Sequence, residues 1–429
     1  MRAKLVNLFS PGSGSQFRRN FLSMARANVI ALALPLLATP ILTRLYEPDS
    51  FGRLAIFSSI LSVATSFCTW RFDWSLPNTR TRAMAGCLFL AGATVLAVIC
   101  AGLYFLLLTG IAGFLGWNPL ADLGKLALFL PVALLAGGLN ALLSGWFVRQ
   151  GDLSQVGRAT IARSIANVSI STASGLAGSG AVGLIAATTI SSWFGIVAQA
   201  RHAGHELWTS LAQVTKKGLA TAIAKHGRNA TWSTMVSLFN AVSFSAPLLL
   251  LAHFYSTQQV GWYALMFRLL AAPIGVLSSA LAQSFWSLAA ELARNRGYSE
   301  LRERYRNTTV RLGIATIPVM LVCLCGPYII GPIFGVEHWQ GAGDVLRAMA
   351  PMFIGTIMFS STSHLTIFDK QSLQLFADII RLILIILSIF AGFELDLDFS
   401  TTVLLTSLSS LAGHIILFYT HIRTQNKYV

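Results

Sequence analysis

Basic side chains inside apolar segments are the residues of this sequence with the clearest capacity for chemistry. Arg268 lies about seven residues inside the apolar segment 260–288, roughly 10 Å along a helix. A charge at that depth in a bilayer costs about 2.5–3.5 kcal/mol, and a guanidinium presents a planar fork that matches phosphate and carboxylate oxygens. The position therefore predicts contact with a phosphate or a sugar acid. The alternatives are a structural ion pair and a side chain that snorkels outward.

Small and polar residues accompany Arg268 at helical spacing. They fall on one face of the segment, and bulky apolar residues occupy the rest of its surface. The face consists of Gly261, Ala264, Ala271, Gly275, Ser279, Ala282 and Gln283. Such a face leaves room around the guanidinium, as a water-filled cavity requires.

Four further charged residues lie at the ends of the first two apolar segments. Arg26 opens the first segment and Arg44 closes it. Arg71 and Asp73 stand at the end of the second segment, and because they are two residues apart they do not face each other on a helix. We predict that these four residues and Arg268 line a substrate-binding cavity.

Motifs for catalysis, metal binding or disulfide formation are missing from the sequence. It contains no GxxxxGK[ST], HExxH or GxSxG pattern. The five cysteines fall inside apolar segments, form no CxxC and have no histidine at metal-ligand spacing. We therefore predict no catalytic residue, no metal site and no cofactor, and a protein that is not an enzyme.

The apolar composition predicts the fold class. Hydrophobic residues make up 55% of the 429 residues and charged residues only 11%, against roughly 25% charge in soluble domains. A water-soluble enzyme of this length is excluded. Twelve segments approach the roughly 20 apolar residues that a membrane-spanning helix needs, so we predict an all-α polytopic membrane protein. The segments are 26–45, 52–70, 83–109, 124–148, 156–176, 180–200, 229–252, 260–288, 309–333, 345–367, 372–393 and 400–420.

The distribution of positive charge predicts the orientation in the membrane. The 31 Lys and Arg residues outnumber the 16 Asp and Glu residues, for a net charge of +15. A cytoplasmic N-terminus with alternating loops places 26 of the 31 on the cytoplasmic side. The remaining five are Arg44, Arg53, Lys125 and Arg347 outside and Arg268 within a span. This bias predicts two cytoplasmic termini, and it assigns the excess charge to anionic lipid rather than to nucleic acid.

An internal repeat divides the chain. A shift of 209 residues aligns three identical residues: Tyr46 with Tyr255, Gly52 with Gly261, and Ala55 with Ala264. The twelve predicted helices then form two pseudo-symmetric six-helix bundles around a central cavity, which is typical of alternating-access carriers. The predicted divisions are a cytoplasmic leader (1–19), a first lobe (20–200), a basic cytoplasmic linker (201–228) and a second lobe (229–429).

Several stretches resemble one family of membrane proteins. They are LLATPILTRLYEPDSFG (36–52), WRFDWSLP (70–77), VGWYALMFRLL (260–270) and SALAQSFW (279–286). With these motifs the chain resembles the Wzx-type polysaccharide biosynthesis proteins, flippases for O-antigen or exopolysaccharide precursors in the MATE-like MOP superfamily. Arg71 and Asp73 take the positions of the family's R-[FY]-[DE] motif, with Trp74 where small apolar residues usually follow. Arg268 lies where such proteins often carry a basic residue.

The resemblance implies a function and a set of partners. It implies a bacterial inner-membrane protein that moves an undecaprenyl-diphosphate-linked oligosaccharide from the cytoplasmic to the periplasmic leaflet. In that interpretation Arg268 binds the diphosphate, assisted by Arg26 or Arg44, while the polyprenyl tail stays in the membrane lipid. A glycan polymerase and a chain-length regulator are the expected protein partners, and the protein itself is expected to be a monomer.

Three other functions stay open. A cation-coupled drug or metabolite antiporter of the same fold would need buried acidic residues, of which the predicted spans contain Asp378 and Asp73. Asp378 is also spaced to form a structural salt bridge with Arg381. An enzyme such as a glycan polymerase or acyltransferase would need a large external loop or an intramembrane His–Asp constellation, and the sequence predicts neither. A non-transporting scaffold for glycan assembly is the third alternative.

Overall fold

Helices make up the whole of the regular structure that is described. The computed structural model describes residues 11–109, 118–294, 298–360 and 370–425. Every regular element in these ranges is a helix. The all-α class that the composition predicts is therefore confirmed.

The described ranges contain 17 α-helices. They are α1 (Pro11–Leu45), α2 (Pro48–Thr65), α3 (Phe72–Ser75), α4 (Arg82–Leu108), α5 (Asn118–Leu123), α6 (Phe129–Gln150), α7 (Leu153–Leu176), α8 (Gly180–Ala212), α9 (Lys216–Phe254), α10 (Thr257–Arg294), α11 (Tyr298–Ala315), α12 (Ile317–Leu324), α13 (Gly326–Phe334), α14 (Val336–Ala348), α15 (Ala350–Gly355), α16 (Gln371–Glu394) and α17 (Phe399–Gln425). Single turns of 3₁₀-helix at Leu76–Asn78 and Gly124–Leu128 and of π-helix at Thr356–Ser360 complete the set.

Most of the long helices are apolar enough to cross a membrane. Within the described ranges, nine helices are long and apolar enough to span a membrane. The count rises to ten if Glu337–Ala348 and Ala350–Phe359, which are bent by 45° relative to each other, form one span. The second and fifth predicted spans are present as α2 and α7, which carry more charge and hydroxyl groups. Each of the twelve predicted segments contains a described helix, although 361–367 of the tenth segment lie outside the described residues. The fold is that of a multi-pass membrane protein.

The chain packs into two compact units. The first comprises Met1–Tyr46 and Ile56–Ser245, and the second comprises Glu47–Ala55 and Ala246–Val429. The first two turns of α2 therefore pack with the second unit, and the rest of α2 with the first. Packing divides the chain at different residues from the predicted lobes 20–200 and 229–429.

The predicted leader and linker are partly helical. Helix α1 begins at Pro11, inside the predicted leader 1–19, of which residues 1–10 lie outside the described ranges. Within the predicted linker 201–228, α8 continues to Ala212 and α9 starts at Lys216, and the linker role stays a prediction. Apolar side chains of this stretch, among them Leu207 and Leu219, pack into a hydrophobic cluster of the first unit and so extend both helices.

A hydrophobic cluster in the first unit fixes the short helix α3. Phe72 of α3 and Leu76 of the turn that follows are buried in one cluster with Trp146 of α6. Helix α6 approaches closely because residue 145 is glycine: a Cβ at Gly145 would lie 2.5 Å from the backbone carbonyl oxygen of Asp73. The segment that carries Arg71 and Asp73 is therefore held against α6.

Two glycines allow the starts of α2 and α10 to cross within the second unit. A Cβ on Gly52 would overlap the carbonyl oxygen of Thr257, and a Cβ on Gly261 would overlap that of Pro48. Pro48 and Thr257 are 209 residues apart, as are the two glycines, so the contact is reciprocal. The hydroxyl of Thr257 also donates a hydrogen bond to Asp49. This crossing is where the internal repeat is visible in the structure.

Candidate functional site

A strained turn follows α2 and carries two of the predicted site residues. Trp70 and Arg71 adopt left-handed backbone angles, with φ of 50° and 54°. Bulky residues rarely adopt this conformation, which costs about 1–2 kcal/mol per residue. Besides the backbone hydrogen bonds of the turn, two side-chain hydrogen bonds hold it: the indole N–H of Trp70 donates to Thr231 Oγ1 at 3.0 Å, and the hydroxyl of Thr69 donates to Asp73 at 2.7 Å.

Asp73 faces the inside of this turn. Its side chain is 7% exposed, and its carboxylate accepts the hydrogen bond from Thr69. No ion pair between Arg71 and Asp73 is found among the described residues, as the spacing of two residues predicts. Asp73 therefore stabilises the turn through this hydrogen bond. A contact between Asp73 and the substrate stays a prediction.

Arg71 lies beside a cavity of about 950 Å³ in the first unit. The cavity is bounded by the end of α2, the Arg71 turn and the middle of α9. Arg71 is half-buried, and its guanidinium carbon lies 4.4 Å from the centroid of the Trp74 ring, a cation–π geometry. The other lining residues are Ser62, Thr65, Ser66, Trp74, Trp232, Ser233, Val236, Ser237, Asn240, Ala241 and Phe244.

The lining combines three kinds of recognition chemistry. The Nε atom of Arg71 is buried and has no hydrogen-bond partner among the described residues. A guanidinium binds phosphate or carboxylate oxygens, and indole rings provide a flat apolar face with one N–H donor. Serine and asparagine side chains donate and accept hydrogen bonds with hydroxyl groups. The cavity can therefore hold a molecule that combines an anionic group with sugar rings.

The α9 wall of the cavity was not predicted. Ser233, Ser237, Asn240 and Phe244 recur at intervals of three and four residues, which places them on one face of α9. The three polar residues of this face, Ser233, Ser237 and Asn240, lie within an apolar helix and are a signal that the sequence contains. Trp232 has no such signal, since its position at the cavity follows from how α9 packs beside the Arg71 turn.

Arg268 belongs to the second unit. It lies 11 residues after the first residue of α10, which is about 16 Å along the helix from its start. Its side chain is accessible, and no carboxylate pairs with it among the described residues. Gly261, which belongs to the predicted small face, packs directly against the backbone of Pro48. It therefore leaves no space for a cavity at that position. The side chains of Ser279, Ala282 and Gln283 lie outside the described set.

Arg26 and Arg44 are both accessible residues of α1. They are 18 residues apart, which corresponds to about 27 Å along a helix. One phosphate group cannot contact both side chains at that separation. Either Arg26 or Arg44 is therefore predicted to assist in binding a diphosphate. The two side chains do not bind the same phosphate group together.

Asp378 and Arg381 form the predicted salt bridge in α16. The Nη2 atom of Arg381 lies 3.2 Å from the carboxylate of Asp378. The Nη1 atom of Arg381 lies 3.0 Å from Nε2 of His414 in α17, whose Nδ1 donates to the carbonyl of Ser410. The pair is thus part of a network between two helices. No cluster of three metal-ligating side chains is found in the part of the chain that the structure describes.

Comparison with known proteins gives a family model and several solved structures. A model described as "Polysaccharide biosynthesis protein" matches residues 41–343. An inward-facing multidrug resistance MATE family transporter of the MOP superfamily is similar, with a TM-score of 0.67 at 15% identity over 93% of this chain and 99% of that one. The lipid II flippase MurJ, in an inward closed conformation, has a TM-score of 0.68 at 12% identity over 95% and 89%. No curated protein matches the sequence.

Proposed function

Because the chain belongs to the polysaccharide biosynthesis protein family, we propose that it moves an undecaprenyl-diphosphate-linked oligosaccharide across the bacterial inner membrane. The fold is that of MOP-superfamily transporters and flippases. The protein is thus a multi-pass membrane protein of that type. The identity of the glycan lipid, the inner-membrane location and the cytoplasmic termini are parts of the proposal.

The cavity beside Arg71 is the observation that carries this proposal. A diphosphate and its attached sugars cannot cross roughly 30 Å of hydrocarbon without a polar path. The cavity supplies a guanidinium for the anionic group, two indole rings and several hydroxyl groups within a membrane-spanning bundle. The polyprenyl tail is as apolar as lipid, so it needs no polar path and stays in the bilayer.

Each site residue has a distinct role in this proposal. Arg71 contacts the diphosphate or an acidic sugar, and Trp74 and Trp232 pack against sugar rings. Arg268 is a second cation of the transport path, with Arg26 or Arg44 as an assisting contact. Asp73 positions Arg71 through the turn. A glycan polymerase and a chain-length regulator are the proposed partners of the monomer.

The acidic residues that an antiporter would use are already engaged. Asp73 is buried and accepts the hydrogen bond from Thr69, and Asp378 is paired with Arg381. A coupling cation would have to displace these contacts. This favours the flippase over a cation-coupled antiporter of the same fold.

Reconstitution tests the proposed function directly. The purified protein is inserted into liposomes with a fluorescent undecaprenyl-diphosphate-linked oligosaccharide, and the fraction reachable by an added glycosidase is followed over time. We expect wild-type liposomes to expose the lipid from the inner leaflet, whereas empty liposomes do not. Equal exposure in both would refute the flippase function.

Substitution of Arg71 tests its role in the same assay. We expect Arg71→Gln to reduce translocation at least ten-fold, because the anionic group loses its counter-charge. Arg80→Gln is the matched control, since Arg80 is an exposed basic residue nine positions away that does not line the cavity. Unreduced translocation by Arg71→Gln would refute the role of Arg71 without refuting the flippase function.

A further inference from the structure

A second, smaller recess lies in the first unit between α6, α7 and α8. Its volume is about 270 Å³, and it shares no lining residue with the Arg71 cavity. The lining is Gly137, Asn140, Ala141, Ser144, Ala159, Thr160, Arg163 and Gln199. Arg163 is the charged member of this set, and four of the other residues carry polar side chains.

Arg163 occupies the middle of α7. It is the eleventh residue of the 24-residue helix, about 15 Å from the helix start, whereas the charge distribution alone counts it among the cytoplasmic residues. No carboxylate pairs with it in the part of the chain that the structure describes. Five other described arginines do have such a partner: Arg53, Arg82, Arg304, Arg347 and Arg381. The guanidinium of Arg163 therefore lacks a counter-charge and remains accessible to one.

Gln199 also lines this recess, and its side-chain oxygen accepts no hydrogen bond from a described residue. Its side chain is 1% exposed, and its Nε2 atom donates to Ser144 Oγ at 3.0 Å. Its Oε1 atom is buried and has no hydrogen-bond partner among the described residues. A buried acceptor left unpaired is unfavourable, so this oxygen calls for an O–H or N–H group.

The remaining polar side chains are already oriented by the helices. Asn140 donates through Nδ2 to the carbonyls of Ala136 and Ser192, and the hydroxyl of Thr160 donates to the carbonyl of Val156. Among its described residues, the recess therefore lacks a negative charge beside Arg163 and, for its buried oxygen Oε1 of Gln199, a hydrogen-bond donor.

We propose that this recess binds a phosphate group that retains one O–H. The anionic oxygens accept hydrogen bonds from the guanidinium of Arg163, and the remaining O–H donates to Oε1 of Gln199. Chloride, sulfate and ionised carboxylates supply the charge but carry no donor at neutral pH. The phosphate can be free inorganic phosphate or the headgroup of a phosphorylated lipid. The site stands on its own geometry and does not depend on the proposed function.

Binding of inorganic phosphate and of sulfate to the purified full-length protein tests the proposal. The two anions have similar size and shape, and the ionised sulfate lacks the O–H. We expect phosphate to bind at least ten-fold more tightly than sulfate, as measured by the shift of the thermal unfolding midpoint and by ³¹P line broadening. Equal binding of the two anions, or no phosphate binding to the folded protein, would overturn the proposal.

Three variants locate the site, and a fourth, at Arg158, is their control. Arg163→Gln should raise the phosphate Kd at least ten-fold, whereas Arg163→Lys should raise it less because the charge remains. Gln199→Leu should remove the preference for phosphate over sulfate. Arg158→Gln, a loss of the same charge on the same helix outside the recess, should leave the Kd unchanged. An unchanged Kd in folded Arg163→Gln would place the phosphate elsewhere and overturn the assignment.

A competition experiment identifies the source of the phosphate. A short-chain prenyl phosphate is added to the protein saturated with inorganic phosphate. Displacement that depends on Arg163 indicates a lipid headgroup as the ligand, and lack of displacement indicates free phosphate. Either result is consistent with a phosphate site at Arg163, while displacement that Arg163→Gln leaves unchanged would contradict it.

Discussion

At the scale of single residues, the turn at Trp70 and Arg71 shows how a strained backbone positions a charge. Two successive bulky residues in the left-handed region persist only where neighbouring contacts compensate. Here the contacts are the hydrogen bonds from Trp70 to Thr231 and from Thr69 to Asp73. As a result, Arg71 lies over Trp74 at the edge of the cavity. The turn, rather than a helix, determines where this guanidinium lies.

Removal of the Asp73 carboxylate should weaken the turn. We expect Asp73→Ala to lower the free energy of unfolding by about 1–3 kcal/mol, because the buried hydroxyl of Thr69 loses its acceptor. Asp73→Asn keeps an acceptor oxygen and should lose less. Denaturant unfolding of the purified protein measures both, with exposed Glu394→Gln as the control. A stability equal to that of the wild type in Asp73→Ala would show that this carboxylate does not hold the turn.

The indole of Trp74 should contribute through its face. A cation–π contact at an accessible site contributes about 0.5–1 kcal/mol, which corresponds to a two- to five-fold effect. We expect Trp74→Ala to reduce translocation of the lipid-linked oligosaccharide by at least this factor. Trp74→Phe, which retains an aromatic face under Arg71, should reduce it less. If both variants lose the same activity, the ring face has no specific role.

At the scale of elements, the crossing of α2 and α10 depends on two glycines. Each glycine faces a backbone carbonyl of the other helix, so any side chain must push the helices apart. Cα–H groups of glycine also contact carbonyl oxygens in such close helix pairs. The same pairing of residues 209 positions apart in both directions explains why these glycines recur in the repeat.

Alanine at either glycine should destabilise the crossing. We expect Gly52→Ala and Gly261→Ala each to cost about 1–3 kcal/mol, the usual range for overpacking. Gly275→Ala is a suitable control, because it lies on the same helix α10 and a Cβ there meets open space. Thermal unfolding compares the three. A midpoint in Gly261→Ala as high as in the control would contradict the close approach of the backbones.

Asp398 caps the N-terminus of α17. It accepts hydrogen bonds from the Thr401 hydroxyl at 2.5 Å and from the Thr401 backbone N–H at 3.1 Å. The hydrogen bond from the Thr401 side chain, with backbone N–H groups, holds the pKa of Asp398 below its usual value. The stabilisation is therefore present above the unfolded pKa of about 3.9 and is lost as the pH falls through the lower folded pKa.

Replacement of Asp398 tests this cap and its pH dependence. Asp398→Ala should lower the free energy of unfolding by about 1 kcal/mol at pH 7. The difference from the wild type should shrink as the pH is lowered below about 4, because the wild-type carboxyl then becomes protonated. Unfolding between pH 7 and pH 3 checks both expectations. A difference that does not vary with pH would indicate a cap that does not depend on ionisation.

At the scale of the whole molecule, the charge distribution predicts the orientation of the chain. Placing 26 of 31 basic residues on the cytoplasmic side leaves both termini there. In this orientation the connection before α9 is cytoplasmic, and the connection between α16 and α17 is periplasmic. Exposed residues adjoin both connections: Lys217 lies in the first turn of α9, and Glu394 is the last residue of α16. Labelling at these two positions can therefore test the orientation.

Cysteine labelling tests this orientation. The four buried native cysteines are protected, and Cys325→Ser removes the exposed one. In that background we expect a membrane-impermeant maleimide to label Glu394→Cys in cells with a permeabilised outer membrane. Lys217→Cys should react only after the inner membrane is opened. Labelling of Lys217→Cys from outside would reverse the predicted topology.

The sequence by itself determined the class of this protein. Hydrophobic segments long enough to span a bilayer, the asymmetry of basic residues and the motifs around Arg71 and Arg268 are all local in the chain. Membrane insertion depends on such local properties, because each span must satisfy its own backbone hydrogen bonds. For this reason the all-α membrane fold and the family could be predicted without coordinates.

Only the tertiary structure decided where the binding groups lie. The Arg71 cavity joins the turn after α2 to Trp232 of α9, and the smaller recess joins Arg163 of α7 to Gln199 of α8. Arg71 and Trp232 are far apart in the chain. Arg163 and Gln199 lie on consecutive helices and come together because α7 and α8 pack side by side. No local sequence pattern predicts that these residues come into contact. The contact depends on which faces of distant helices pack against each other and exclude water and lipid.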